Sequence, residues 1–222
     1  MNPLPKYITF DAYGTIFTWT LEQATEKILG DRIKKIDWVK FQQEWHDSRF
    51  HDTSTEYRPY EAMMRRCFGN MARKYGIEFT ETDCDGIIEN IVSWEPFPEV
   101  PAVLRKLRQY CKLCIISNTE DRFIEKNIEK LGVPFDCYVT AEQARAYKPS
   151  PVTFRYAWNK LGVDKSEILH VAQGFEYDIM PAHDMGFKAV WINRNGLPGD
   201  QKNYGPYDEM PDMSGLPAYL GI

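Results

Sequence analysis

The chain has 222 residues, 43% apolar, 14% aromatic and 27% charged. That is the composition of a globular protein of one larger domain, or one domain carrying an insertion, and not of a disordered or fibrous chain. The formal charge of -5, with lysine and arginine dispersed, provides no basic stripe for a phosphate backbone. Nucleic-acid binding is therefore not expected, and small-molecule chemistry is.

The N-terminus, MNPLPKYITF, has no charged segment followed by a long apolar run, and no stretch reaches the roughly 20 apolar residues of a membrane helix. No membrane partner and a cytoplasmic location are expected. YITF reads as a short buried strand that delivers Asp11 into the glycine turn DAYGT. Residues 18–94 are polar-aromatic and helix-like, with Trp38, Phe41 and Trp45 at i, i+3 and i+7. They read as a helical insertion, a cap of residues 18–94 on a core of residues 1–17 and 95–222. The proline-rich WEPFPEVP is the expected return linker.

From about residue 97, helical and extended patterns alternate. EVPAVLRKLRQY puts Val100, Val103, Leu104 and Leu107 on one helix face, and Leu113–Ile116 is a buried strand. DRFIEKNIEKLG repeats the helical spacing and closes on Gly132, and FDCYV is the next strand. Residues 151–161 form a helix ended by Gly162, EILHVA is a buried strand, and the helix DIMPAHDMG and the strand KAVWI complete the series. Such alternation predicts an α/β fold with a mostly parallel sheet, helices on both faces, and ligands bound at the carboxyl ends of the strands. Five cysteines at irregular spacing make no disulfide framework, and the CxxC of Cys111 and Cys114 reads as core packing because Cys114 lies inside an apolar strand.

Four strand ends carry polar residues: Asp11 in DAYGT, Ser117-Asn118-Thr119 after KLCII, Lys148 in YKPS, and Asp178 in QGFEYD. Singly, each is ordinary capping chemistry. Their order, with an insertion after the first, resembles the haloacid dehalogenase superfamily over nearly the whole chain. DAYGT with Tyr13, and HVAQGFEYD, resemble its L-2-haloacid dehalogenase branch. The resemblance implies a Rossmann-like core with a helical cap, no cofactor, and dimerisation through the cap, which is common in the family.

Phosphatases of the superfamily carry DxDGT and hold magnesium with the first aspartate and carboxylates of the fourth loop. Here Tyr13 stands in place of the second aspartate and Gln173 where a fourth-loop carboxylate is expected, which leaves Asp11 and Asp178 as a thin ligand set. Attack on carbon needs no such metal. The resemblance then implies that Asp11 attacks C2 of a small 2-substituted carboxylic acid and that water hydrolyses the resulting ester. By the same carry-over Lys148 keeps Asp11 ionised and aimed, Asp178 orients the water, and Thr15 secures the turn. Ser117, Asn118 and the amides of the Ala12 to Gly14 turn, Tyr13 included, hold the substrate carboxylate.

The family's cap arginine, which embraces the departing halide after a tryptophan, corresponds to His46 in QEWHDSRF; Arg49 lies three residues further, a rotation of about 300°. Trp19, Phe175 and Tyr177 are candidates for an aromatic wall beside the leaving group, or for core. Gln173 is a candidate to orient water through its amide. His170 and His183 read as structural, since neither belongs to a metal-ligand pair. Ring opening of a cyclic amino acid such as azetidine-2-carboxylate, a residual magnesium phosphatase and a non-catalytic binding protein stand as alternatives.

Overall fold

The computed structural model describes residues 4–222. Their elements run β1 (Tyr7–Phe10), α1 (Leu21–Leu29), α2 (Trp38–Thr53), α3 (Tyr60–Tyr75), α4 (Glu81–Glu89), α5 (Val100–Leu107), β2 (Lys112–Ser117), α6 (Asp121–Glu129), β3 (Cys137–Thr140), α7 (Ala141–Ala144), α8 (Pro151–Leu161), β4 (Ile168–Ala172), α9 (Met180–Met185), β5 (Lys188–Ile192) and β6 (Asp208–Met210). Two short helices, Gln201–Tyr204 and Leu216–Tyr219, lie near the C-terminus.

The described strands form one sheet in the order β3-β2-β1-β4-β5-β6, with every neighbouring pair parallel. Every residue of β1 and β4 is buried, which a parallel sheet achieves only when both faces are covered. α5 buries the four residues that the helical spacing selects. α8 packs Phe154 and Ala157 on Ile116 and Val139 of the neighbouring strands. The strand order changes direction at β1, where the chain returns as β4 on its other side. That places a crevice between the ends of β1 and β4, the usual ligand position of such sheets.

Three differences from the sequence reading have physical causes. FDCYV becomes a strand only from Cys137, because the Asp136 carboxylate is drawn aside to the Leu113 N–H at 2.9 Å and to Arg108 at 2.9 Å. DIMPAHDMG does not begin a helix at Asp178. A π-helical turn over Phe175–Ile179 comes first, and its wide loop is the kind of backbone found at functional sites. β6 was not foreseen: DEM carries two charges and no apolar periodicity, which suits an edge strand.

The chain divides into two compact units, Met1–Thr18 with Glu95–Ile222, and Trp19–Trp94. The second unit is helical, and α2 packs on α3 through aromatic contacts. Phe41 and Trp45 are fully buried, Trp38 stacks on Phe41 at 5.0 Å, and Trp45 meets Phe68 edge-on at 5.6 Å. The cysteines are free; Cys111 and Cys114 are buried, and Cys114 pairs in register with Cys137 rather than with its CxxC companion.

Candidate active site

β1 ends one residue before Asp11, whose N–H still reaches the Val171 carbonyl of β4 at 3.1 Å. The chain then folds back. The Ala12 carbonyl accepts from the N–H groups of Ile16 and Phe17, and Gly14 N–H donates to Phe17 O at 2.7 Å. Gly14 has φ +87, a conformation that favours glycine, and a Cβ there would lie 2.9 Å from Gln173 Oε1 and push that amide aside. Arg194 clamps the turn from outside: Nε donates to Gly14 O at 3.2 Å and Nη2 to Thr15 O at 2.9 Å. Its charge is met by Glu99 at 2.6 Å.

Within this unit three of the four predicted strand ends converge on one ammonium. Lys148 Nζ donates to Asp11 Oδ1 at 2.8 Å and to Asp178 Oδ1 at 2.7 Å. Lys148 and Asp178 are each 1% exposed, whereas the Asp11 side chain keeps 13%. The Thr15 hydroxyl donates to Asp11 Oδ2 at 2.7 Å and accepts the Gln173 N–H at 2.8 Å, which ties the first loop to the fourth. Asp178 Oδ1 also meets His170 Nε2 at 2.9 Å, while Asp178 Oδ2 is buried with no partner.

The electrostatics follow from one positive charge shared by two carboxylates. Burial pushes the Asp11 carboxyl above its ordinary value, Lys148 works against that rise and the Asp178 charge adds to it. Burial acts the same way on Asp178, but Lys148 and His170 outweigh it and hold that carboxyl below its ordinary value. Burial would lower Lys148, and the two carboxylates overcome it, so the ammonium is held above its ordinary value. Asp178 and Lys148 thus form a fixed pair, and Asp11 is the member that takes up a proton first.

The second loop meets the third through Asn118. Its side chain donates to Lys148 O at 2.9 Å and accepts the Lys148 N–H at 2.7 Å, so it fixes the backbone that carries the ammonium. The Ser117 and Thr119 hydroxyls are buried without partners. Tyr13 turns away from the carboxylates, and its hydroxyl donates to Asn127 Oδ1 at 3.2 Å. Gly14 N–H, already given to Phe17, leaves the set of amides expected to face an anion. Phe175 packs edge-on against Trp191 and Tyr207 and belongs to a core cluster; Tyr177 beside it is half-buried. His183 is exposed and lies beside Asp184.

The helical unit holds a polar feature of its own. Arg49 follows Trp45 by four residues and shares its face, with its guanidinium 4.6 Å from the Trp45 ring and 5.3 Å from the Trp19 ring. It is 6% exposed and donates from Nη2 to Glu22 at 3.2 Å. Its Nε and Nη1, and Trp45 Nε1, are buried without partners. His46 is half-buried on a neighbouring face, and Trp19, 39% exposed, donates to Glu22 at 2.6 Å.

Magnesium, which phosphatases of the superfamily use, does not fit this donor set. Lys148 already occupies the interval between the two carboxylates, and Gln173 replaces a carboxylate. Among the described residues no group of three or more His, Cys, Asp or Glu side chains is placed to hold a metal ion.

His170, Arg194 and Glu99 contact the site or its turn and are not among the residues expected from the sequence. The signal for His170 was a polar residue inside the apolar strand ILHVA, since a buried polar group needs a partner. Arg194 and Glu99 gave none, as their contacts are to distant backbone and to each other.

The chain is similar to Haloacetate dehalogenase H-2 of Moraxella sp. (strain B), 27% identical over 219 residues, covering 97% of each protein. It superposes on a crystal structure of the L-2-haloacid dehalogenase RSc1362 with TM-score 0.85 at 22% identity, covering 99% of this chain and 100% of the other. It also superposes on an L-2-haloacid dehalogenase from Xanthobacter autotrophicus with chloropropionic acid covalently bound, with TM-score 0.79 at 18% identity, covering 98% and 99%. The family model for haloacid dehalogenase-like hydrolases matches residues 5–186, more than half of the chain. The fold, the order of the four loops and this match identify the chain as a member of the haloacid dehalogenase-like hydrolase family.

Proposed function

We propose that the protein is a metal-independent 2-haloacid dehalogenase that displaces halide from C2 of a small carboxylic acid through an ester on Asp11. The observation that carries this reading is the single ammonium of Lys148 shared by a buried carboxylate and a partly open one. A lone lysine offsets one carboxylate. It does not offset a carboxylate and an incoming phosphoryl group as well. A 2-halo acid brings its one negative charge on the carboxylate, away from the carbon to be attacked.

An oxygen of ionised Asp11 forms a bond to C2 while the C2–halogen bond breaks, and the halide leaves with the electron pair. Lys148 and Thr15 hold the two Asp11 oxygens in place, and such alignment supplies about 7–11 kcal/mol of a bimolecular barrier. Ser117, with its unpartnered hydroxyl, and the Ala12 and Tyr13 amides are proposed to bind the substrate carboxylate. Asn118 acts chiefly by holding Lys148. Water, oriented by Asp178 with help from Gln173, then attacks the ester carbonyl and releases a 2-hydroxy acid. The haloacetate and chloropropionate chemistry of the relatives supports this substrate class.

Asp178→Asn separates the two steps. It is expected to release one halide per chain and stall, with the ester accumulating on Asp11, as read by rapid quench and intact-mass measurement. The acidic limb of that first release lies above the ordinary aspartate value of about 3.9 in the wild type, because Asp11 must be ionised. It moves down in the variant, which loses a like charge and leaves Lys148 to Asp11 alone. Full multiple turnover by Asp178→Asn sinks the assignment of the water.

A further inference from the structure

We infer that His170 is a positioning residue for hydrolysis of the Asp11 ester: it fixes the Asp178 carboxylate so that Oδ2 alone is left unpartnered as the acceptor for the attacking water. The inference rests on the covalent reading above and adds a residue to it.

His170 lies within β4, fully buried, in register with Thr9 of β1. Its Nε2 is 2.9 Å from Asp178 Oδ1, and its Nδ1 is 2.8 Å from Thr9 Oγ1. An ionised carboxylate only accepts, so Nε2 carries the hydrogen; Nδ1 is then free to accept from the Thr9 hydroxyl. The Asp178 carboxylate therefore sets the tautomer, and the Thr9 hydroxyl completes the other ring nitrogen and holds the ring in place. The ring is also held edge-on by Phe154 at 5.7 Å and Phe187 at 6.0 Å.

Asp178 Oδ1 receives two donors from different segments, His170 in β4 and Lys148 in the third loop, and Oδ2 receives none. A core histidine kept only for packing would not need this asymmetry. With Lys148 alone the carboxylate could swing to share the ammonium between both oxygens. The second donor removes that freedom, and a buried anionic oxygen left bare is costly unless water completes it. Room for Oδ2 depends on Gly174, where a Cβ would lie 2.6 Å from it.

In the hydrolytic step the water oxygen bonds to Cγ of Asp11 and its proton passes to Asp178 Oδ2. As the bond from Cγ to the substrate oxygen breaks, the departing alkoxide takes that proton; the second proton of the water, left on the Asp11 carboxyl, passes to solvent, and both carboxylates are regenerated. His170 touches neither water nor ester; it acts through the orientation of Asp178.

The test uses the full chain with chloroacetate. His170→Phe keeps the ring volume and removes both nitrogens, whereas His170→Gln restores an N–H near Nε2. Rapid quench is expected to show the first halide released by His170→Phe at the wild-type rate and steady-state turnover slower by on the order of 100-fold, with the ester-bearing chain predominating. His170→Gln recovers most of the loss, and Thr9→Val shows the same split at smaller size. Nitrogen-15 NMR of the wild type is expected to show His170 protonated at Nε2. The inference is overturned if wild type forms the ester but His170→Phe turns over normally, if both steps slow alike, or if His170 is unprotonated at Nε2. A wild-type chain that forms no ester on Asp11 overturns the covalent reading and this inference with it.

Discussion

Asp11→Asn is expected to abolish turnover of 2-halo acids, by about 10⁶-fold, the scale of removing a covalent nucleophile. The amide is nearly isosteric, so the turn, the Thr15 contact and the Gly14 geometry remain, and thermal unfolding measured beside activity should show a folded chain. An asparagine carries no charge and is a poor nucleophile, so neither the ester nor free halide forms. Because Asp178 keeps Lys148 and His170 as partners, it does not replace Asp11: its oxygens are buried, whereas Asp11 is the carboxylate with an open side. Halide release by Asp11→Asn at the wild-type rate removes Asp11 from the reaction.

Lys148→Met is expected to cost both activity and stability. The lysine is the buried counter-charge of two carboxylates, and removing one partner of a buried ion pair costs about 3–5 kcal/mol. The effect depends on pH with a definite sign. Without the ammonium, burial and mutual repulsion raise both carboxyls above their unfolded values, so the folded variant holds protons that the unfolded chain has released. Its stability therefore falls as pH rises through the raised values. Urea unfolding should show a larger deficit against wild type at pH 7 than at pH 5. Activity should fall as well, because Asp11 loses the group that keeps it ionised and aimed. An equal deficit at both pH values contradicts the shared-charge account.

These outcomes hinge on features that were legible in the sequence to different degrees. Strand ends were readable, because β1, β4 and β5 are apolar runs stopped by turn chemistry, and Asp11, Lys148 and Asp178 sit just past strands or in short loops. The convergence of those residues on one ammonium was carried by the resemblance and by the parallel order of the sheet; no local spacing encodes it. What stayed hidden depended on partners far along the chain. His170 looks like one more buried strand position until Thr9 is paired beside it and the π-helical turn brings Asp178 back over it. Asn118 enters as a substrate ligand through the resemblance alone; that its amide also matches the backbone of Lys148 thirty residues away was not legible. The burial of Arg49 follows from its spacing of four from Trp45, which puts it on the buried face of α2.

The central claim, that Asp11 attacks carbon and is then regenerated by water, is tested most directly by a single turnover of chloroacetate on excess enzyme in oxygen-18 water. In the ester route the product hydroxyl comes from Asp11, and solvent oxygen enters the carboxylate through Cγ. The account predicts unlabelled hydroxyl oxygen in the product and one oxygen-18 in the peptide that contains Asp11. Oxygen-18 in the product hydroxyl with an unlabelled Asp11 would contradict it, because water would then have attacked the substrate carbon directly.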